Sequence, residues 1–290
     1  TAERVLAIGD ITAFNNLNNL PVFLTATCEF SRFDDPSRTS AGELALLNPN
    51  GGGVALMTTT RLVFSSQNFT LNSFFYQNLF ERNSDGTVQR IGDVFRAVKN
   101  QYRVLNSRNF SLLGDPALKL ALPELGVVTS EINGNPVTVI DTINALSKVS
   151  ISGYVTNFDG TKMQDFNGYI YPTVFDKPSQ KRTLNNDGQG VFVYEEQDSR
   201  IFKGKASVIN GEFSFEFVVP KDISYSFGKG KIQYYVENGA LDGNGNSTDF
   251  IIGGTDPNAL SDDEGPEIEL FMNNRDFVYG GITSNNPTLL

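Results

Sequence analysis

An α/β layer followed by an all-β, immunoglobulin-like sandwich is the architecture that this 290-residue sequence predicts, on three observations. Up to about Leu122, helix-like and strand-like segments alternate, the pattern of a layered, largely parallel sheet. From about Leu125 the texture changes to short β-type runs separated by Gly, Asn and Asp turns. Those runs recur at the spacing of a sandwich of roughly seven strands. The expected domains are an α/β portion over 1–122, the sandwich over 123–254, a linker over 255–266 in the acidic stretch "TDPNALSDDEGPE", and over 267–290 the opening of a further β domain that stops at Leu290.

Each element has a local reason. Ile8, Ile11 and Phe14 give a short amphipathic helix, and Val22-Phe23-Leu24 after Pro21 reads as a buried strand with Cys28 at its C-terminal end. "SAGELALLNP" is a helix from Ser40 stopped by Pro49, and the "NGGG" turn leads into the strand "VALMTTT". In "FTLNSFFYQNLFER" a helix turns Leu71, Phe74, Phe75 and Leu79 inward, and Ile91, Val94, Phe95, Val98, Tyr102 and Leu105 repeat at helical spacing. "FSLLGDPALKLAL" reads as strand, Gly-Asp-Pro turn and strand. Five runs follow as strand candidates: "KVSISGYVT", "NGYIYPTVF", "GVFVYEE", "FKGKASVINGEFSFEFVVP" and "KIQYYVEN", with Asn210-Gly211 marking a hairpin. The first half holds too few strands for a complete doubly wound sheet, and an opening at Thr1, mid-element and without Met, is expected of a piece that begins inside a domain.

Composition narrows the function. A net charge of −10 and a pI near 4.6 argue against a nucleic-acid or anionic-membrane partner, since both reward clusters of Lys and Arg. No apolar run approaches the roughly 20 residues of a membrane helix. The one cysteine cannot form an internal disulfide, so Cys28 is free, metal-bound or catalytic. Two readings stand for it: a small buried filler, or a nucleophile at a strand end where loop N–H groups can stabilise an oxyanion. A thiolate needs a base or an electropositive neighbour, and the sequence contains no histidine.

Other motifs carry blander readings. Asp34 and Asp35 before Pro36 form a solvated turn, or with Glu29 hold a basic side chain. Gly51 to Gly53 lack the Lys-Ser/Thr of a phosphate loop. "LDGNGNSTD" sets Asp242, Asn244 and Asn246 at alternate positions, but Ser247 and Gly253 stand where a calcium loop needs Gly and Glu, so it reads as a turn loop without metal. Sequons occur at Asn68, Asn109 and Asn246. Tyr169, Tyr171, Tyr234 and Tyr235 are the aromatics from which a carbohydrate-binding face would be built. No cofactor is expected.

The segments "FLTATCEFSRFDDP", "GGGVALMTTTRLVFSSQN" and "LLGDPALKL", in that order, resemble the second part of the gingipain-type cysteine peptidase domain. "FKGKASVINGEFSFEFVVPKDISYSFGKGKIQYYVEN" resembles the β-rich region that follows it in the cell-surface sortases of the type IX secretion system. The resemblance implies a caspase-like three-layer α/β/α fold lacking its N-terminal part, with Cys28 as nucleophile and the Cys28 backbone N–H in the oxyanion hole. The family's His lies upstream of "ERVL" and has no counterpart here; substrate-binding residues are not identified. The implied activity is removal of C-terminal secretion domains from cargo proteins and, through a Cys28 thioester, their transfer to an amine of anionic lipopolysaccharide. The implied partners are cargo, that acceptor and other surface components of the secretion system, including an outer-membrane barrel, and the implied location is the bacterial outer surface. The alternative is a non-catalytic scaffold or adhesion module that keeps the fold without the site.

Overall fold

In the computed structural model, residues 6–186, 188–257, 270–274, 276–278, 281–283 and 286–289 are described. The chain divides into two units, residues 1–124 with 157–161, and residues 125–156 with 162–290.

The first unit is built on a three-stranded sheet of β1 (Val22–Leu24), β2 (Ala55–Thr59) and β3 (Phe110–Gly114), in that order, with β1 parallel and β3 antiparallel to β2. Because side chains alternate across a strand, each strand serves two cores. Ala55, Met57, Val22, Leu24 and Leu112 face α3 (Ser65–Leu79) and α4 (Ile91–Gln101), packing on Leu71, Phe75, Ile91, Val94 and Val98. Leu56, Phe23 and Leu113 face α1 (Ile8–Thr12) and α2 (Ala41–Leu47), packing on Ile11, Phe14, Leu44 and Ala45. The result is helix, sheet, helix.

Three sequence expectations are corrected in this unit. Ile8 lies exposed because α1 spans only five residues and presents a single side chain, Ile11, to the core. Leu105 is 77% exposed, because the chain leaves α4 at Tyr102 and enters a 3₁₀ turn at Leu105–Asn109. After the Gly-Asp-Pro turn no second strand forms; an isolated bridge from Lys119 to Arg90 takes its place.

The second unit is all β. Its strands are β4 (Leu125–Ile132), β5 (Asn135–Pro136), β6 (Asp141–Ala145), β7 (Lys148–Thr156), β8 (Gly168–Phe175), β9 (Ser179–Arg182), β10 (Val193–Glu196), β11 (Arg200–Lys203), β12 (Ala206–Ile209), β13 (Glu212–Val218), β14 (Gly228–Lys229), β15 (Lys231–Glu237), β16 (Asp242–Ser247) and β17 (Phe250–Thr255). The strands β8-β12-β13-β7-β4-β16-β15 follow one another, and β15 pairs back onto β8, so seven strands close a ring. This corrects the immunoglobulin-like expectation: the two sheets of a sandwich would leave β8 and β15 as edges, whereas here Lys231–Glu237 runs antiparallel along Tyr169–Phe175.

The same strands explain the closure. In β13, Phe213, Phe215 and Phe217 point into the ring while Glu212, Ser214 and Glu216 point out, and Ile232, Tyr234 and Val236 do the same in β15. Pro172 sits in the middle of β8, where a missing N–H should break a ladder. A residue's N–H and C=O point to the same neighbour, and Pro172 O accepts from Gly204 N–H at 3.1 Å, where the chain passes from β11 to β12. The gap therefore falls where the ladder is already interrupted. Asn210 and Gly211, at φ 52 and 77, make the tight turn between β12 and β13 as the Asn-Gly pair predicts.

The stretch read as a turn loop, "LDGNGNSTD", is corrected to strand β16, parallel to β4 and antiparallel to β15. Its glycines serve close approach: a Cβ on Gly245 would stand 2.1 Å from Val127 O, and one on Gly243 2.8 Å from Leu125 O. A smaller sheet, β14-β17-β6, lies beside the ring, and β9 and β10 form a separate ribbon. Of the expected linker, Thr255 ends β17 and 258–266 lie outside the described residues; the expected further domain falls partly outside them, its described part carrying one bridge from Met272 to Leu289.

Candidate active site

Cys28 is exposed on the loop after β1, four residues beyond Leu24, so it is not the buried filler of one sequence reading. The loop is pinned over the C-terminal end of β2. Thr25 N–H donates to Met57 O at 3.0 Å, Thr25 Oγ1 to Thr58 Oγ1 at 2.8 Å, Thr59 Oγ1 to Thr27 O, and Ser31 N–H to Thr59 O at 2.9 Å. Glu29 N–H reaches Arg61 O at 3.4 Å, and this requires φ 53 at Glu29, a left-handed conformation that a side-chain-bearing residue adopts at a cost. The turn at Glu29 presents Cys28 outward.

The sulfur has partners on the segment between β2 and α3. The Cys28 thiol donates to Val63 O at 3.6 Å, and Val63 N–H donates to Cys28 Sγ at 3.5 Å. The backbone N–H of Cys28 has no acceptor among the described residues, which leaves it available to an oxygen of a bound carbonyl. Below the loop, Gly42 N–H donates to Phe30 O at 2.9 Å, and a Cβ on Gly42 would stand 1.7 Å from Ser31 Oγ, so only glycine lets α2 approach this closely.

The carboxylates near Cys28 are paired. Arg61 Nη1 donates to Asp34 Oδ1 at 2.9 Å; this bond holds the Asp34 carboxyl below the ordinary carboxylate range and raises the Arg61 guanidinium. Asp35 is held low first by the Ser37 hydroxyl and then by the Ser37 N–H, and it also meets Arg32 and Arg38 at 3.9 and 3.4 Å. Glu29 pairs with Arg32 at 3.0 Å and Arg38 at 3.8 Å. The two sequence readings of Asp34 and Asp35 thus both hold in part: they form a turn, and they bind basic side chains. Such exposed pairs contribute little stability and serve mainly to order the loop.

Of the remaining candidates, the Gly51–Gly53 turn, Asn68 and Tyr234 are structural. Gly52 N–H donates to Asn16 Oδ1 at 2.8 Å and Asn16 Nδ2 to Gly52 O at 3.1 Å, so the Gly51–Gly53 turn is closed by a side chain. Asn68 is buried, which removes it as a glycan acceptor. Tyr234 points into the ring and shares a 2.8 Å hydrogen bond with Thr129 Oγ1, and its burial raises the phenol, so it belongs to no carbohydrate-binding face. Among the described residues no three His, Cys, Asp or Glu side chains gather as metal ligands, and no helix is long and apolar enough to cross a membrane. Sequence reasoning missed Val63, Asn106 and Asn109: the first acts through its backbone and the others from a 3₁₀ turn, by bonds that span 42 and 47 residues, so neither motif nor periodicity marks them.

Comparison with known proteins places these features. Among solved structures, the chain is 26% identical to dimeric latent PorU from Porphyromonas gingivalis, covering 79% of this chain and 22% of that one, with a TM-score of 0.50. The Arg-specific cysteine proteinase gingipain R (RgpB) is 16% identical, over 84% of this chain and 48% of that one, with a TM-score of 0.34. The complex of the Porphyromonas gingivalis RgpB pro- and mature domains is 15% identical, over 82% and 49%, with a TM-score of 0.35. The chain spans 22% of the PorU chain it matches, and no curated protein matches it. The family model described as Peptidase family C25 matches residues 1–121, the part of the chain that carries Cys28.

Proposed function

We propose that the chain is the nucleophile-bearing part of a cell-surface cysteine endopeptidase and transpeptidase, with Cys28 as nucleophile. The observation that carries this reading is the placement of Cys28 within the segment matched by the family C25 model: exposed, held by a pinned loop, with its own N–H without an acceptor among the described residues. The likeness to PorU supports the finer part of it, a sortase that acts on cargo bearing C-terminal secretion domains. In this reaction the thiolate attacks the carbonyl carbon of the scissile peptide bond, and the C–N bond breaks as the amine leaves with a proton. The thioester then yields to water or to an amine of anionic lipopolysaccharide, which releases the thiol. Splitting the reaction at a covalent intermediate is what permits transfer as well as hydrolysis. The Cys28 N–H stabilises the tetrahedral oxyanion.

The chain has no histidine, so in this reading the general base is supplied by polypeptide outside these 290 residues. That same absence favours a second reading, a surface scaffold that keeps a peptidase-like fold without activity. The two are separated by assaying cargo processing in the protein extended upstream to include a histidine. Cys28→Ala is expected to abolish processing with cargo binding retained; processing that survives the substitution would sink the nucleophile reading.

A further inference from the structure

Val63 and Phe64 present two consecutive N–H groups at the start of α3, and the two go to different places. Val63 N–H faces the Cys28 sulfur at 3.5 Å, and Phe64 N–H donates to Asn106 Oδ1 at 2.8 Å. Phe64 is the N-cap of α3, its side chain makes no capping bond, and it is 74% exposed, so neither capping nor burial fixes the helix entry. The 3₁₀ turn fixes it from outside. Asn109 Nδ2 donates to Leu62 O at 3.0 Å, Asn109 O accepts from Thr60 N–H at 2.8 Å, and Asn106 holds Phe64. Among the N–H groups of this clamped stretch, Val63 N–H is the one turned to the sulfur.

Asn106 is only 5% exposed, and among the described residues its Nδ2 has no hydrogen-bond partner; Asn72 Oδ1, on the adjoining α3, is likewise buried and without a partner among them. An interior amide with an unused donor is costly, and an apolar side chain would pack without that cost. Among the described residues, the one bond its side chain makes is the bond to Phe64 N–H.

We infer that Asn106 is a positioning residue for the Cys28 thiolate: by holding Phe64 N–H it aims Val63 N–H, with the positive end of α3 behind it, at the sulfur. The inference rests on the reading of Cys28 as nucleophile for its purpose, though the geometry acts on the thiol whatever the thiol attacks. Ionisation gives up the weak S–H bond to Val63 O and makes the Val63 N–H bond charge-assisted, and the helix dipole acts in the same direction. The first turn of α3 contains no acidic residue to oppose it. The other charged groups of the neighbouring loops, Glu29, Arg32, Asp34, Asp35, Arg38 and Arg61, are paired with one another at the surface. Arg108 stands on the 3₁₀ turn itself.

The test is the pH dependence of Cys28 alkylation by iodoacetamide in the 290-residue chain, wild type against Asn106→Leu, with near-ultraviolet circular dichroism as the check of folding. The variant is expected to move the profile to higher pH by about one unit, alkylating about tenfold more slowly at neutral pH. A second measurement needs no variant: the amide resonance of Val63 in the wild type is expected to shift with the same midpoint as alkylation. A folded Asn106→Leu chain with an unmoved profile, or a Val63 amide indifferent to thiol ionisation, overturns the inference. Cargo processing that survives Cys28→Ala would sink the nucleophile reading and leave these two measurements unchanged, so the two failures are distinguishable.

Discussion

Glu29 follows the reactive-site candidate with φ 53, and the reason lies in what that conformation achieves: it turns the chain so that Cys28 stands outside while Ser31 tucks beneath α2. Single-residue constraints of this kind predict single-residue sensitivities. Gly42→Ala forces a methyl group against Ser31 Oγ; overpacking of this sort costs about 1 to 3 kcal/mol, read as a lower urea midpoint. In the second unit, Asp176 is 5% exposed and its Oδ1 accepts from Lys177 Nζ at 2.8 Å, with Oδ2 receiving Ser224 N–H at 3.3 Å. Removing one partner of a buried pair strands the other, so Asp176→Ala is expected to lose about 3 to 5 kcal/mol by the same measurement. If Asp176→Ala unfolds like the wild type, the pair is not buried in solution. At this scale Cys28 was legible because it is the one cysteine and follows a strand; Val63, Asn106 and Asn109 were not, since their bonds span 35, 42 and 47 residues and two of the donors are backbone groups.

Two elements with local causes, α2 and the β12–β13 hairpin, were read correctly, and their stability can be tested locally. Ser40 accepts from Glu43 N–H at 3.4 Å while Glu43 Oε2 accepts from Ser40 N–H at 2.8 Å and from its hydroxyl at 2.6 Å, a reciprocal cap on the short α2. Ser40→Ala is expected to cost about 1 kcal/mol. The Ser40 hydroxyl, and after it the Ser40 N–H, hold the Glu43 carboxyl below its ordinary value. A carboxyl depressed in the folded state contributes stability that is present above its unfolded pKa and is lost as pH falls through the folded one. The stability gap between wild type and Glu43→Ala should therefore be present at neutral pH and narrow in acid; a gap that persists to about pH 2 would mean the cap is not ionic. The Asn210-Gly211 turn gave the β12–β13 hairpin from two residues. Strand β16 was not legible, because Gly-Asn-Gly-Asn carries the composition of a turn; its glycines are needed for contact with β4, a partner more than a hundred positions away.

At the scale of the molecule, class was legible and closure was not. Alternating Phe in β13 and alternating Ile, Tyr and Val in β15 announce strands with one buried face, and that pattern is shared by a sandwich and a closed ring. What decides between them is the pairing of β8 with β15 and the parallel pairing of β16 with β4, and neither leaves a trace in local composition.

Closure has a consequence that separates the two units. The ring ends without exposed edges at β8 and β15, and its interior is one cluster from Leu125 to Ile252, so it contains its own core. The sheet of the first unit has β1 as an end strand, its Val22, Phe23 and Leu24 only half-buried. Beside it lies a groove of about 440 Å³ lined by Leu20, Val22, Leu24, Phe75, Leu79 and Phe80. A strand apolar on both faces, whose outer edge has no partner among the described residues and which has an apolar groove alongside, is a surface on which another chain can pair. Expressed separately, residues 125–257 are expected to unfold in one cooperative transition and to remain monomeric. Residues 1–124 are expected to bind a hydrophobic dye and to associate. The checks are equilibrium denaturation with sedimentation for each piece. A monomeric, dye-free 1–124 would mean that the β1 edge is satisfied within its own unit; a 125–257 piece without a cooperative transition would mean that the ring does not hold its fold through its own core.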